Sequence, residues 1–238
     1  MLGPLLNSGG LVVGAVFGAL LGHSVPRRVK EALPLTCGTI ALAVGVVLVN
    51  KVNALAAVSL AMIAGALIGE LLYLERGLEL SIKWVKKRFE RASPVDRDNP
   101  LADGFIVKFV SITVLFCASG MGIFGAIHEG MTGDANILLA KSVLDLFTAM
   151  VFATELGYSV ALIAFPQIAI QSALFFGASL LMPLTTPTML ADFSACGGVI
   201  MLATGLRICG IKIFPTVNML PALILIMPIS AIWGRFFA

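Results

Sequence analysis

Apolar runs of 17 residues or more recur along the chain, for example over 2–22, 54–73 and 104–127. Each is long enough to cross the roughly 30 Å hydrocarbon layer of a bilayer as a helix. The charge content agrees, because only 12% of the 238 residues are charged and 59% are hydrophobic. A soluble globule must cover its surface with polar groups and has no use for so much apolar material. The fold class is therefore all-α, a polytopic helical membrane protein, and its first partner is the lipid bilayer. The net charge of +3 does not point to nucleic acid, because the basic residues cluster beside the apolar runs, where they set topology.

Eight spans are expected, over about 2–22, 33–49, 54–73, 104–127, 136–154, 158–182, 193–209 and 214–236. The opening "MLGPLLNSGG" has neither a cationic n-region nor a small-residue cleavage site, so it reads as the start of the first span. Between the third and fourth spans, Leu74, Leu78, Ile82, Val85 and Phe89 recur at helical spacing. With Lys83, Lys86, Lys87 and Arg91 mostly elsewhere around that helix, the pattern is a basic amphipathic helix on a membrane surface. Pro94 and Pro100 end it. Lys and Arg crowd the first and third loops (Arg27, Arg28 and Lys30, then seven between Arg76 and Arg97), and Arg207 and Lys212 flank the seventh. By the positive-inside rule, odd-numbered loops face the cytoplasm and both termini face out.

An internal repeat organises these spans. "GTIALAVG" (38–45) matches "GVIMLATG" (198–205) at Gly38/Gly198, Ile40/Ile200, Leu42/Leu202, Ala43/Ala203 and Gly45/Gly205. "VNALAA" (52–57) matches "VNMLPA" (217–222), and "FGALL" (17–21) resembles "FGASLL" (176–181), in the same order and at near-constant offset. Two units of three spans separated by an even pair must enter the membrane from opposite sides. This is an inverted-topology repeat, the arrangement of many secondary transporters, whose sites lie where the repeats meet. The expected layout is one transmembrane domain over 1–238: repeat one at 1–73, the amphipathic helix and linker at 74–103, a central helix pair at 104–154 and repeat two at 158–238.

Spans two and seven are read as short, each beginning beside a Cys-Gly pair (Cys37-Gly38, Cys196-Gly197). Five glycines fall between Gly120 and Gly133, and Gly120 and Gly122 suit either local unwinding or close helix packing.

In span five, Lys141, Asp145, Thr148, Phe152 and Glu155 advance by 4, 3, 4 and 3 and share a face. Each charge at the centre of an isolated membrane helix costs about 2.5–3.5 kcal/mol, so the stripe must face the bundle interior. Asp145 is the leading candidate for a proton, cation or substrate site, with Lys141 and Thr148 beside it. A self-neutralising Lys–Asp pair is the plain structural alternative.

Asn7 lies early in span one and lines either a cavity or a helix contact, as do Gln167 and Gln171 on one face of span six. Asn53 and Asn218 open spans three and eight at repeat-equivalent positions, as helix N-caps or as anion-binding helix ends. The stretch through Asp192 reads as a turn capping a helix, Arg207 as an anchor reaching the interface, and His128-Glu129 as an outer loop. The four cysteines show no metal-ligand spacing, and neither HExxH nor GxSxG is present, so no metal, cofactor or enzyme activity is expected.

The strings "VLFCASGMGIFGAIHEGMTGD", "AKSVLDLFTAM", "MPLTTPTMLADFSA" and "LATGLRICGIKIFPTVNMLPAL" resemble the bacterial YqgA-like inner-membrane proteins, a family defined by a domain of unknown function. The resemblance covers essentially the whole chain. It implies a multi-pass bacterial inner-membrane protein, often regarded as a transporter, and brings no catalytic or binding residues with it. The expected function is secondary transport of a small solute or ion between the repeats and span five. An ion channel and a membrane scaffold without a transported solute are the alternatives, and homo-oligomerisation is compatible with all three.

Overall fold

The computed structural model describes residues 1–21, 26–77, 80, 105, 108–109, 112–113, 115–117 and 119–236. The expected amphipathic helix and its linker fall largely outside these residues. Among the described residues there is no strand. The helices are α1 (Leu2–Leu21), α2 (Arg27–Val49), α3 (Leu55–Leu71), α4 (Gly120–Thr132), α5 (Asn136–Leu156), α6 (Ala164–Ser179), α7 (Pro187–Ile208) and α8 (Pro221–Phe236). Leu2–Leu21, the continuous run Asn136–Leu184 and Pro187–Ile208 are long and apolar enough to cross a membrane. Leu35–Val49, Leu55–Leu71 and Pro221–Phe236 are shorter apolar helices. Leu20, Ile63, Phe165, Leu180, Ile213 and Ile224 project outward and exposed, as they would toward lipid.

Several boundaries differ from the periodicity reading, each for a local reason. Span seven is not short: Thr186 caps α7 by accepting from the Met189 N–H at 3.3 Å, and Pro187 fits the first helical position. Cys196-Gly197 therefore lies inside α7, and Cys37-Gly38 inside α2. Span eight starts late, because Phe214–Leu220 is a series of tight turns and Pro221 begins α8. Span four is not continuous: the chain is helical at 115–117, extended at Ser119 (ψ 134°) and helical again from Gly120. The glycine-rich stretch is thus wound, and the break lies just before it. Span six is preceded by Gly157 (φ 63°) and a 3-10 stretch, Gly157–Ile163.

Small residues set the packing. Gly10, Gly14 and Gly18 recur every fourth residue on α1 and lie against Ser142, Leu146 and Met150 of α5, so these two helices run parallel in close backbone contact. α4 and α6 are also parallel, with Gly122 beside Gln171 and Gly130 beside Phe175 and Ala178. α2 and α7 are antiparallel, Gly38 meeting Gly205 and Gly45 meeting Gly198. α3 and α8 are antiparallel too, Gly65 on Ala222 and Gly69 on Asn218. One apolar core gathers Phe124, Phe193, Ile200, Met201 and Ile226, and a second gathers Leu11, Ala15, Phe116, Ala149 and Ile163.

Candidate functional site

The α1 contact determines which way the charges of α5 point. Leu138, Ser142, Leu146 and Met150 form the stripe held by the α1 glycines. Lys141 and Asp145 each stand one residue before a member of that stripe, and Thr148 and Phe152 continue their face, so the four turn about 100° away, into the bundle. Lys141 and Asp145 are 3% and 7% exposed and form an ion pair through Nζ and Oδ2. The same Oδ2 accepts the Gln167 Nε2 amide of α6 at 2.7 Å. The Lys141 ammonium also lies 5.9 Å from the centroid of the Phe116 ring, within range of the ring's quadrupole.

This cluster borders a cavity of about 320 Å³. Its polar lining is Lys141, Asp145, Thr148, Ser119, Thr204 and Cys37. Its apolar wall includes Phe116, Met121, Leu144 and Phe152, with the exposed Leu115 and Ile208 at the rim. The helix break opens onto it: the Ser119 hydroxyl oxygen accepts the Gly122 N–H at 3.0 Å and caps α4 at the cavity edge. The two glycines there pack closely against cavity side chains. A Cβ on Gly122 would stand 2.9 Å from the Lys141 Cε, and one on Gly120 would stand 3.2 Å from the Thr204 hydroxyl. Five of the eight candidate residues, Lys141, Asp145, Thr148, Gly120 and Gly122, thus come together.

Asn7 does not line the cavity. It is fully buried on the α1 face that bears Gly3 and Gly10, and neither its Nδ2 nor its Oδ1 has a hydrogen-bond partner among the described residues. The Oε1 atoms of Gln167 and Gln171 and the Ser8 hydroxyl share that state.

Asn53 and Asn218 lie elsewhere, and neither side chain makes a capping hydrogen bond to the helix it precedes among the described residues. The Asn53 and Ala54 N–H groups at the start of α3 donate to Asp192 Oδ1 at 2.8 and 2.7 Å. Asp192 is no turn residue: it is fully buried inside α7, and its Oδ2 accepts the Ser230 hydroxyl of α8 at 2.6 Å. Asn218 Oδ1 accepts the Glu75 N–H at 2.7 Å, while Glu75 Oε2 accepts the Val217 N–H at 3.1 Å. Arg207 is exposed in the last turn of α7 and is not a free charge. It pairs with Glu75 and donates to the Phe214 carbonyl at 3.0 Å.

His128 and Glu129 are buried in α4 instead of forming a loop. His128 Nε2 lies 3.2 Å from the Ser194 hydroxyl, and Glu129 holds the Met1 amino group at 2.9 Å and the Gly3 N–H. The polar stripe of α5 ends before Glu155, which is exposed and paired with Lys108 at 3.0 Å. Among the described residues no group of three or more His, Cys, Asp or Glu side chains is arranged to hold a metal. Sequence reading missed Cys37, Ser119 and Thr204 as cavity residues. Only the helix break at Ser119 could have been suspected, from a serine standing before a glycine-rich helix.

The family model described as "Protein of unknown function (DUF554)" matches residues 2–231. The "Uncharacterized protein YqgA" of Escherichia coli (strain K12) is 50% identical over 238 residues, covering 100% of both chains. The "Uncharacterized membrane protein YdfK" of Bacillus subtilis (strain 168) is 26% identical over 231 residues, covering 94% of this chain and 93% of its own. No solved structure matches the chain.

Proposed function

The chain belongs to the DUF554 family of proteins of unknown function, and we propose that it is a secondary transporter of the bacterial inner membrane. It moves a small solute or ion through the cavity beside span five. The observation that carries this reading is the buried Lys141–Asp145 pair with Gln167 at the cavity wall. A packing helix needs neither charge, and ionisable groups at membrane depth mark ion or substrate pathways.

The helix pairing supports the inverted repeat on which this reading leans. Exchanging span one with six, two with seven, three with eight and four with five maps the four glycine-packed pairs described above onto one another or onto themselves. The parallel α1–α5 pair becomes the parallel α6–α4 pair, and the antiparallel α2–α7 and α3–α8 pairs return to themselves. The glycines that match between repeats, Gly38/Gly198 and Gly45/Gly205, are those that touch across the α2–α7 crossing. The cavity lies where both repeats contribute, Cys37 from α2 and Thr204 from α7. In this arrangement the Lys- and Arg-rich odd loops are cytoplasmic and both termini periplasmic.

The test is flux through the purified protein in proteoliposomes. Vesicles preloaded with a mixed pool of amino acids, monocarboxylates, nucleosides and sugars are challenged with each labelled solute in turn. Saturable counterflow of one class, lost in Asp145→Asn, is expected. Unitary ionic currents, or an absence of flux for every class, would overturn the proposal.

A further inference from the structure

Both members of the buried ion pair line the cavity, and neither is saturated by the other. The Lys141 ammonium has three donors and, among the described residues, makes one hydrogen bond, to Asp145 Oδ2. That oxygen also takes the Gln167 amide, which leaves Asp145 Oδ1 without a hydrogen bond among the described residues. The Ser119 hydroxyl proton is free to donate, because its oxygen accepts from Gly122 N. The Thr148 hydroxyl donates to the Leu144 carbonyl, and its oxygen, beside the Cys37 thiol on the cavity wall, keeps a lone pair to accept with. The cavity therefore offers unused donors at one end and unused acceptors a helix turn away.

The pair as a whole is neutral, which selects among ligands. A single cation or anion entering here would leave one charge uncompensated beside Phe116, Leu144 and Phe152, where desolvation is costly. A molecule carrying both signs close together leaves none. We propose, building on the transport reading, that the cavity takes a small zwitterion of the α-amino-acid class with an apolar side chain. Its carboxylate meets the Lys141 ammonium and the Ser119 hydroxyl, at the first turn of α4, where the helix N-terminus favours negative charge. Its ammonium meets Asp145 Oδ1 and the Thr148 oxygen, and its side chain packs on Phe116, Leu144 and Phe152. The size is right: about 320 Å³ holds roughly ten non-hydrogen atoms at the ~30 Å³ that a liquid water occupies. When the site is empty the Lys141–Asp145 pair closes on itself, so the unloaded carrier returns without a bare charge.

The experiment measures equilibrium binding to the full chain in nanodiscs, which needs no flux and so fails or succeeds independently of the transport reading. The probes are leucine, methionine and valine, together with two half-charged analogues of leucine, 4-methylpentanoate and 3-methylbutylamine. At least one amino acid is expected to bind, with both analogues at least ~100-fold weaker because each strands one buried charge. Lys141→Gln and Asp145→Asn should each abolish amino-acid binding. Ile208→Trp, at the exposed rim, should block it in a protein that still elutes as a folded species. Failure of all three amino acids to bind overturns the proposal. So does either analogue binding as tightly as leucine, or undiminished binding in Ile208→Trp.

Discussion

Gly45 and Gly198 lie back to back where α2 crosses α7. A Cβ on Gly45 would stand 2.9 Å from the Gly198 carbonyl oxygen, and one on Gly198 would stand 2.8 Å from the Gly45 carbonyl oxygen. Gly38 and Gly205 repeat the relationship at 3.0 and 2.8 Å. The obstacle in each case is backbone, which cannot rotate aside as a side chain would. Gly45→Ala and Gly198→Ala should each cost about 1–3 kcal/mol in equilibrium unfolding in mixed micelles. The double variant should depart from additivity, because both changes open the same crossing.

The α1–α5 contact supplies its own control. A Cβ on Gly14 would overlap the Leu146 carbonyl oxygen, whereas Gly9 has nothing within 4 Å. Gly14→Ala should lower the unfolding midpoint clearly. Gly9→Ala should leave it unchanged or raise stability by up to about 1 kcal/mol, the ordinary helix gain of alanine over glycine. Equal losses at both positions would show that the crossing does not depend on close approach.

Asp192 ties α7 to the start of α3 and the middle of α8 with three hydrogen bonds of 2.6–2.8 Å, all to a fully buried carboxylate. Asp192→Ala strands two backbone donors and the Ser230 hydroxyl. It should cost on the order of 3 kcal/mol or more, with Ser230→Ala costing about 1 kcal/mol. Thermal unfolding of the two single variants and the double variant measures the difference. In the double variant the Ser230 contribution should vanish, since its partner is already gone.

Removing one member of the Lys141–Asp145 pair should harm more than removing both. Lys141→Met or Asp145→Leu alone leaves an unpaired buried charge and should cost about 3–5 kcal/mol. The double variant Lys141→Met/Asp145→Leu, apolar and similar in volume, should fold at close to parental stability while losing solute flux. A double variant as unstable as the singles would mean that the pair is needed to hold the fold.

Much of this was legible in the chain itself. The length and polarity of the apolar runs fix the helical class, because a segment of that kind has no stable alternative in lipid. The spacing of Lys141, Asp145 and Thr148 placed them on one face, and the matching of Gly38 with Gly198 and Gly45 with Gly205 marked helices with a special contact. These are local or periodic properties, set by residues within a few turns of each other or by self-similarity.

What local pattern does not carry is which face meets which. That Gln167 reaches Asp145, 22 residues away, depends on how α6 turns back at Gly157. That Asp192 caps α3 across 139 residues, that His128 is buried against Ser194, and that Cys37 and Thr204 share a cavity depend on helix crossings. In an apolar medium nearly every face of a helix is greasy, so hydrophobicity cannot mark the packed side as it does in water. The sequence by itself determined the helices, their polar stripe and the small residues that let them touch. Only the tertiary structure decided the crossings. Close backbone approach at the glycines sets each helix's rotation, and that rotation brings Lys141, Asp145 and the break at Ser119 to one cavity.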